Sequence, residues 1–147
     1  MKLEQIDHVA ISVPIGQMDA QVALYERMGF RVIHREDVYG GDQVREVLLQ
    51  VGDSQNLIQL LEPISEASPV AKQIEKQGGR GGLAHFAFRV KNAQVAFDEL
   101  KADGFNLIDP APRPGSRGTT VFFMHPKSHT TEGSLGVLYE FVEDPNG

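Results

Sequence analysis

Apolar and polar residues alternate along Ile6–Val13, and this alternation predicts a β-strand. His8, Ala10 and Ser12 share one face of the strand, and the residues between them form an apolar opposite face. A proline and a glycine just beyond the run end the strand. The pattern therefore predicts a strand that carries an imidazole on its more polar face.

The remainder of the first half predicts a helix followed by three strands. Apolar residues recur near one face of a helix from Met18 to Met28, and Gly29 is well placed to end it. The strands that follow are predicted at Phe30–His34, Val44–Val51 and Leu57–Leu61. The first half therefore has the order β-α-β-β-β.

The second half predicts the same order after a connector over residues 64–82, which contains a short helical stretch at Pro69–Gln77. Asn92 is a good N-cap for the second long helix, and Gly104 ends that helix. The predicted elements are Leu83–Val90, the helix Ala93–Ala102, Phe105–Ile108, a Pro-rich loop at Asp109–Ser116, Thr119–Met124 and Gly136–Val142.

The two halves also match in sequence. His8 and His85 each open a His-x-Ala-x-x-Val frame, and they lie 77 positions apart in a chain of 147 residues. Other pairs keep similar offsets, 75 for Gly29 and Gly104 and 81 for Gln59 and Glu140. The alternative is two unrelated segments whose alternation coincides. The repeat favours an α+β fold with modules at about 4–63 and 83–144, in one domain over residues 1–147.

Composition narrows the possible functions. The formal net charge is −6 and no stretch is rich in Lys or Arg, which disfavours nucleic-acid binding but allows an anionic small substrate. The chain has no cysteine, so any metal must be bound by His, carboxylate or amide oxygen. No apolar run approaches the length of a membrane span, and the first residues lack a signal-peptide pattern. We therefore expect a cytoplasmic protein without a membrane partner.

Each half carries a histidine on its first strand and a Gln or Glu on its last. If the modules pack around a pseudo-twofold axis, His8, Gln59, His85 and Glu140 converge. Two imidazoles, a carboxylate and an amide oxygen suit a divalent ion such as Co²⁺, Zn²⁺, Ni²⁺, Mn²⁺ or Fe²⁺. Each residue alone has a structural alternative, such as a hydrogen-bonded core histidine or a buried amide. The symmetry of the set favours the metal interpretation.

Glu46 is a further candidate, because its side chain is predicted on the same face of its strand as Val44 and Leu48. A carboxylate facing inward near a metal is a candidate general base. A salt bridge to an arginine at the barrel mouth explains the same position equally well. The residues alone therefore leave the role of Glu46 open.

These motifs resemble the vicinal oxygen chelate superfamily, which includes glyoxalase I, extradiol dioxygenases and bleomycin-resistance proteins, and within it the methylmalonyl-CoA epimerase family. The resemblance covers nearly the whole chain and implies that the two modules form an open eight-stranded barrel-like sheet around one metal site. Its matching stretches are Ile6–Pro14, Gln59–Pro63 with Ser68–Lys72 after it, Gly82–His85, Phe123–Ser128 and Gly136–Glu140.

The resemblance implies a metal-dependent isomerase that interconverts (2R)- and (2S)-methylmalonyl-CoA by carboxylate-mediated transfer of the C2 proton through a metal-stabilised enolate. The family's ligands fall on His8, Gln59, His85 and Glu140, and its catalytic glutamates on Glu46 and Glu140. It further implies an acyl-CoA thioester substrate, one divalent metal ion with Co²⁺ favoured, and a homodimer.

One departure from the family's pattern is a loop at residues 129–135, where the family's last strand usually follows almost at once. We expect this loop near the mouth of the site, with His129 and Glu132 as surface residues. His125 and Lys127 are expected in a structural turn. Rival functions are a glyoxalase I-like isomerase, an extradiol dioxygenase, or a metal-free small-molecule binding protein of the resistance type.

Overall fold

The computed structural model describes residues 1–147. The helices are α1 (Met18–Arg27), α2 (Pro69–Lys76) and α3 (Ala93–Asp103). The strands are β1 (Leu3–Ser12), β2 (Phe30–Val38), β3 (Val44–Val51), β4 (Leu57–Pro63), β5 (Gly82–Val90), β6 (Phe105–Leu107), β7 (Arg113–Pro114), β8 (Thr120–His129) and β9 (Tyr139–Glu143). The predicted α+β class and the β-α-β-β-β order of the first half are confirmed. No helix is both long enough and apolar enough to cross a membrane.

The chain divides into two compact units, which we call the first unit (residues 8–84) and the second unit (residues 1–7 and 85–147). The strand order is β2-β3-β4-β1 in the first unit. In the second unit it is β5-β9-β8-β6, and the two-residue strand β7 pairs with β8. In each unit the first strand of the module runs parallel to the last, as β1 does with β4 and β5 with β9. The module repeat is therefore present in both the pairing and the order of the strands.

Apolar residues of α1 and α3 account for the main cores. In the first unit, Met18 and Val22 of α1 pack on one face of β3 and β4. In the second unit, Phe97 and Leu100 of α3 pack on β8 and β9 in the same way. Each helix covers one face of its sheet, which leaves the polar residues of the strands on the other face.

Several predicted boundaries were wrong at the ends of strands. The last strand begins at Tyr139 and not at Gly136, because Gly136 has a φ of +73° and its N–H donates to the carbonyl of Pro126 on β8, outside the paired stretch of β8 and β9. Strand β8 continues to His129, because its end pairs with Phe105 of β6. The Pro-rich loop contains the short strand β7. The sequence did not predict this strand, because prolines lack the N–H group that strand pairing uses.

Candidate functional site

In the first unit, strand register brings three of the predicted site residues onto one face. Ala10 of β1 lies opposite Gln59 of β4, and His8 shares the face of Ala10 because strand side chains alternate. Gln59 lies opposite Leu48 of β3, whose face Glu46 shares. His8, Gln59 and Glu46 are all buried, with 2%, 6% and 2% of each residue exposed.

Gln59 and Glu46 are in direct contact. The amide Nε2 of Gln59 donates a hydrogen bond of 2.9 Å to Oε1 of Glu46. The amide therefore orients the carboxylate through its nitrogen, while its oxygen is the atom that can bind a cation. Glu46 therefore contacts the amide of Gln59, and not an arginine as in the salt bridge that we considered.

Helix α2 covers part of this face. The sequence predicted the helix but did not indicate where it packs. Ser12, on the same face of β1 as His8, donates through Oγ to Oε1 of Gln73 on α2, at 2.8 Å. The Nε2 of Gln73 donates in turn to the carbonyl of Ala84, at 3.0 Å. Val70 and Ile74 of α2 bury their side chains against the same sheet. The connector thus forms a wall of the first unit's polar face.

The second unit brings together the other two predicted ligands. His85 of β5 and Glu140 of β9 are both buried, and Nε2 of His85 lies 3.3 Å from Oε1 of Glu140. Phe123 of β8 lies opposite Glu140 in register and contacts the His85 ring edge to face, with 5.2 Å between the ring centroids. The two ligand candidates are therefore packed against an apolar neighbour.

A buried ionic cluster follows directly from the residue before His8. Asp7 is fully buried and accepts hydrogen bonds from Nε and Nη2 of Arg89, at 3.1 and 2.6 Å. Its second oxygen accepts from Nη2 of Arg117 at 3.4 Å, and Arg117 also reaches Asp144 at 3.5 Å. A buried carboxylate needs such partners, so the cluster fixes the amino-terminal strand of the second unit. A charged residue within an alternating apolar strand was the available signal for it.

The loop at residues 129–135 is held against the end of α3. Nε2 of His129 lies 2.6 Å from the carbonyl of Asp103, and its Nδ1 accepts from backbone N–H groups of the loop at 3.2 and 3.1 Å. The N–H of Thr130 donates to the carbonyl of Gly104 at 2.9 Å. His129 is the last residue of β8 and its side chain is only 13% exposed, so it is not the surface loop residue that we expected. Its ring nitrogens instead join the loop to the end of α3. His125 and Lys127 lie within β8, so the turn that we predicted for them was wrong; the N–H of Lys127 donates to Nδ1 of His125 at 3.0 Å.

Comparison with known proteins relates this site to one group. Residues 7–123 match the family model described as the glyoxalase/bleomycin resistance protein/dioxygenase superfamily. The mitochondrial methylmalonyl-CoA epimerase of Dictyostelium discoideum is 31% identical, covering 95% of this chain and 78% of that protein. The ethylmalonyl-CoA/methylmalonyl-CoA epimerase of Cereibacter sphaeroides is 32% identical, covering 84% and 89%.

A solved structure resembles the whole chain. It is a variant of the Streptomyces coelicolor methylmalonyl-CoA epimerase in complex with 2-nitronate-propionyl-CoA. It superposes with a TM-score of 0.85 at 32% identity, and covers 98% of this chain and 99% of that one. At this level of identity and coverage the likeness extends to the chain's fold as a whole.

Proposed function

The chain belongs to the glyoxalase/bleomycin resistance protein/dioxygenase superfamily and, within it, to the methylmalonyl-CoA epimerases, and from this membership we propose how its residues act. It is an isomerase that interconverts (2R)- and (2S)-methylmalonyl-CoA by moving the proton at C2. The observation that carries our assignment of roles is the buried hydrogen bond from Gln59 to Glu46. It joins an amide that can bind a metal to a carboxylate that can take a proton.

We assign one divalent metal ion to His8, Gln59, His85 and Glu140. All four residues are buried, and His8, His85 and Glu140 supply two imidazoles and a carboxylate, a donor set able to hold such an ion. The ion would act as a Lewis acid toward the negative charge that develops on the thioester oxygen. These donors suit several ions, so Co²⁺ is our first choice and Zn²⁺, Ni²⁺ and Mn²⁺ are the alternatives.

Proton transfer requires a group on each side of C2. We propose that Glu46 takes or returns the proton on one side and Glu140 on the other. Oε1 of Glu46 already accepts from Gln59, so we assign the proton to its Oε2. Glu140 is also a proposed ligand, and charge donated to a cation weakens a carboxylate as a base, so Glu46 is the more effective acid–base group.

The test of this function is deuterium exchange at C2 of methylmalonyl-CoA, followed by NMR in D₂O. Protein stripped of metal with a chelator should give no exchange, and added Co²⁺ should restore it. Turnover of a glutathione hemithioacetal without any exchange at C2, with each of the four ions in turn, would instead assign the chain to the glyoxalase type of isomerase.

A homodimer and a cytoplasmic location complete the proposal, with an acyl-CoA thioester as the partner molecule. The ligand of the Streptomyces coelicolor structure, 2-nitronate-propionyl-CoA, supports the thioester class. Light scattering coupled to gel filtration measures the mass in solution. A mass equal to the 16.2 kDa chain at micromolar concentration would contradict the dimer.

A further inference from the structure

Arg113, which the sequence did not indicate as a site residue, lies on the same face of the second unit as the proposed ligands His85 and Glu140. Arg113 of β7 is opposite Val121 of β8, so their side chains project to one side of the sheet. Phe123 shares that side with Val121 and lies opposite Glu140 of β9. The face therefore carries, from β7 inward, a guanidinium, a phenyl ring and a carboxylate.

Asp109 and Phe123 both help to hold the guanidinium in place. Nε of Arg113 donates to Oδ1 of Asp109 at 2.9 Å, and Oδ2 of Asp109 accepts from the N–H of Phe123 at 2.8 Å. The guanidinium carbon of Arg113 lies over the Phe123 ring, 5.5 Å from its centroid. Because the same ring contacts His85, Arg113 is separated from a proposed metal ligand by a single side chain.

Charge indicates what such a cation is for. The chain carries a formal net charge of −6, while an acyl-CoA thioester of a dicarboxylic acid is itself a polyanion. Binding such a ligand requires local cations that offset the field of the whole protein. The Arg113 side chain is 31% exposed, so the guanidinium is reachable from solvent. An ion pair this exposed adds little to stability by itself, so the pair with Asp109 positions the guanidinium more than it stabilises the fold.

We propose that Arg113 binds an oxyanion group of the thioester substrate, either the acyl carboxylate or a phosphate of CoA. A guanidinium is planar and its fork of donors matches both groups in bidentate fashion. Asp109 and Phe123 are positioning residues for it. This assignment rests on the proposed function for the class of ligand, and it makes Arg113 a determinant of which thioesters the chain binds.

The test is the dissociation constant of malonyl-CoA, measured by calorimetry on the metal-loaded protein for wild type, Arg113→Gln and Lys101→Gln. Lys101 is the matched control, because its ammonium lies over the ring of Phe97, 5.7 Å from the centroid, on the helix-covered side of the same unit. We expect at least tenfold weaker binding in Arg113→Gln and a change below twofold in Lys101→Gln. Equal binding by wild type and a folded Arg113→Gln would overturn the proposal.

Two truncated ligands identify the group. The N-acetylcysteamine thioester of malonate keeps the carboxylate and lacks phosphates, while propionyl-CoA keeps the phosphates and lacks the carboxylate. A loss confined to the first assigns Arg113 to the carboxylate, and a loss confined to the second assigns it to a phosphate. If Arg113→Gln does not fold, Arg113→Lys replaces it, and unchanged malonyl-CoA binding there rejects the bidentate contact. The two proposals can fail separately. If the wild-type protein binds malonyl-CoA but does not exchange the C2 proton of methylmalonyl-CoA, the proposed reaction is contradicted and the result of this binding test still stands.

Discussion

Replacing Glu46 by Gln should remove most of the activity while leaving the fold nearly as stable as before. Glutamine is close to glutamate in size and keeps one oxygen that can accept the 2.9 Å hydrogen bond from Gln59. It cannot take up a proton. The substitution therefore separates the chemistry of the carboxylate from its contribution to packing and hydrogen bonding.

The expected magnitudes differ for activity and stability. A positioned general base contributes about 10²–10⁴-fold, which is about 2.7–5.4 kcal/mol at about 1.36 kcal/mol per factor of ten. The retained hydrogen bond should keep the free energy of unfolding within about 1 kcal/mol of wild type. Glu46→Leu provides the contrast, because it leaves the buried Nε2 of Gln59 without an acceptor and should be about 1–3 kcal/mol less stable than Glu46→Gln.

Glu62 is the matched control, because it is a buried glutamate of the same unit on the opposite face of the sheet. Its Oε2 accepts from the N–H groups of Gly16 and Met18, at 2.6 and 3.3 Å, and its Oε1 from Arg45 at 3.2 Å. Glu62→Gln turns one of these acceptors into a donor, so we expect it to cost about 1.5–3 kcal/mol of stability. Its activity per folded molecule should stay within about threefold of wild type, because a hydrogen bond lost on the far face moves no catalytic group.

Two measurements on the same preparations decide the matter. Urea unfolding gives the free energy of unfolding, and deuterium exchange at C2 of methylmalonyl-CoA gives the rate per folded molecule. The reasoning is refuted if Glu46→Gln keeps its exchange rate within threefold of wild type. It is also refuted if Glu62→Gln loses as much exchange rate as Glu46→Gln. The loss would then follow from replacing any buried glutamate of this unit, and not from the position of Glu46 in the site.

Three further predictions test the site and its support. His85→Ala should lower bound Co²⁺ at least tenfold in equilibrium dialysis, because it removes a proposed ligand, whereas the half-buried His34→Gln should leave binding unchanged. Gly81→Ala should be clearly less stable in urea than Gly79→Ala: both glycines have φ near +80°, but only a Cβ at residue 81 would overlap the β1 backbone. Asn92→Ala should cost about 1 kcal/mol in thermal unfolding, because it removes the side-chain cap of α3, and an unchanged midpoint would contradict this.

The order of elements could be predicted because it depends on local periodicity. The alternation of β1 and the apolar spacing of α1 are properties of neighbouring residues, as is the Asn92 cap of α3. The end of β8 could not be predicted, because it depends on pairing with Phe105 of β6. The short strand β7 was missed for a related reason, since it pairs with β8 although one of its two residues, Pro114, has no N–H to donate.

The residues of the candidate site also differ in whether the sequence could predict them. His8, His85, Gln59 and Glu140 were recognisable because the repeat sets them at matching positions of matching strands. Arg113 carries no such signal. Its place depends on a loop that folds back along β8 and on Asp109, which holds both the loop and the strand.

Strand register identifies the residue of the second module that corresponds to Glu46. In the first unit Gln59 lies opposite Leu48 and Glu46 precedes it by two residues; in the second unit Glu140 lies opposite Phe123, and Val121 precedes that residue by two. Val121 is a buried apolar residue that cannot move a proton. At the two positions that correspond to Glu46 and Gln59, the second module therefore has only one carboxylate, that of Glu140.

The same register explains why the first module has an amide where the second has a carboxylate. A glutamate at residue 59 would place two carboxylates within about 3 Å, and like charges so close cannot both ionise. The repulsion would favour a proton held between the two carboxylates, and a carboxylate that shares such a proton is not available to accept one from substrate. Gln59 instead donates to Glu46 and keeps an oxygen for a cation. At Glu140 the opposing residue is Phe123 and its neighbour on that strand face is Val121, so no such conflict arises there. The amide at residue 59 thus keeps Glu46 available as a base that is not also a metal ligand, a role that Glu140 does not have.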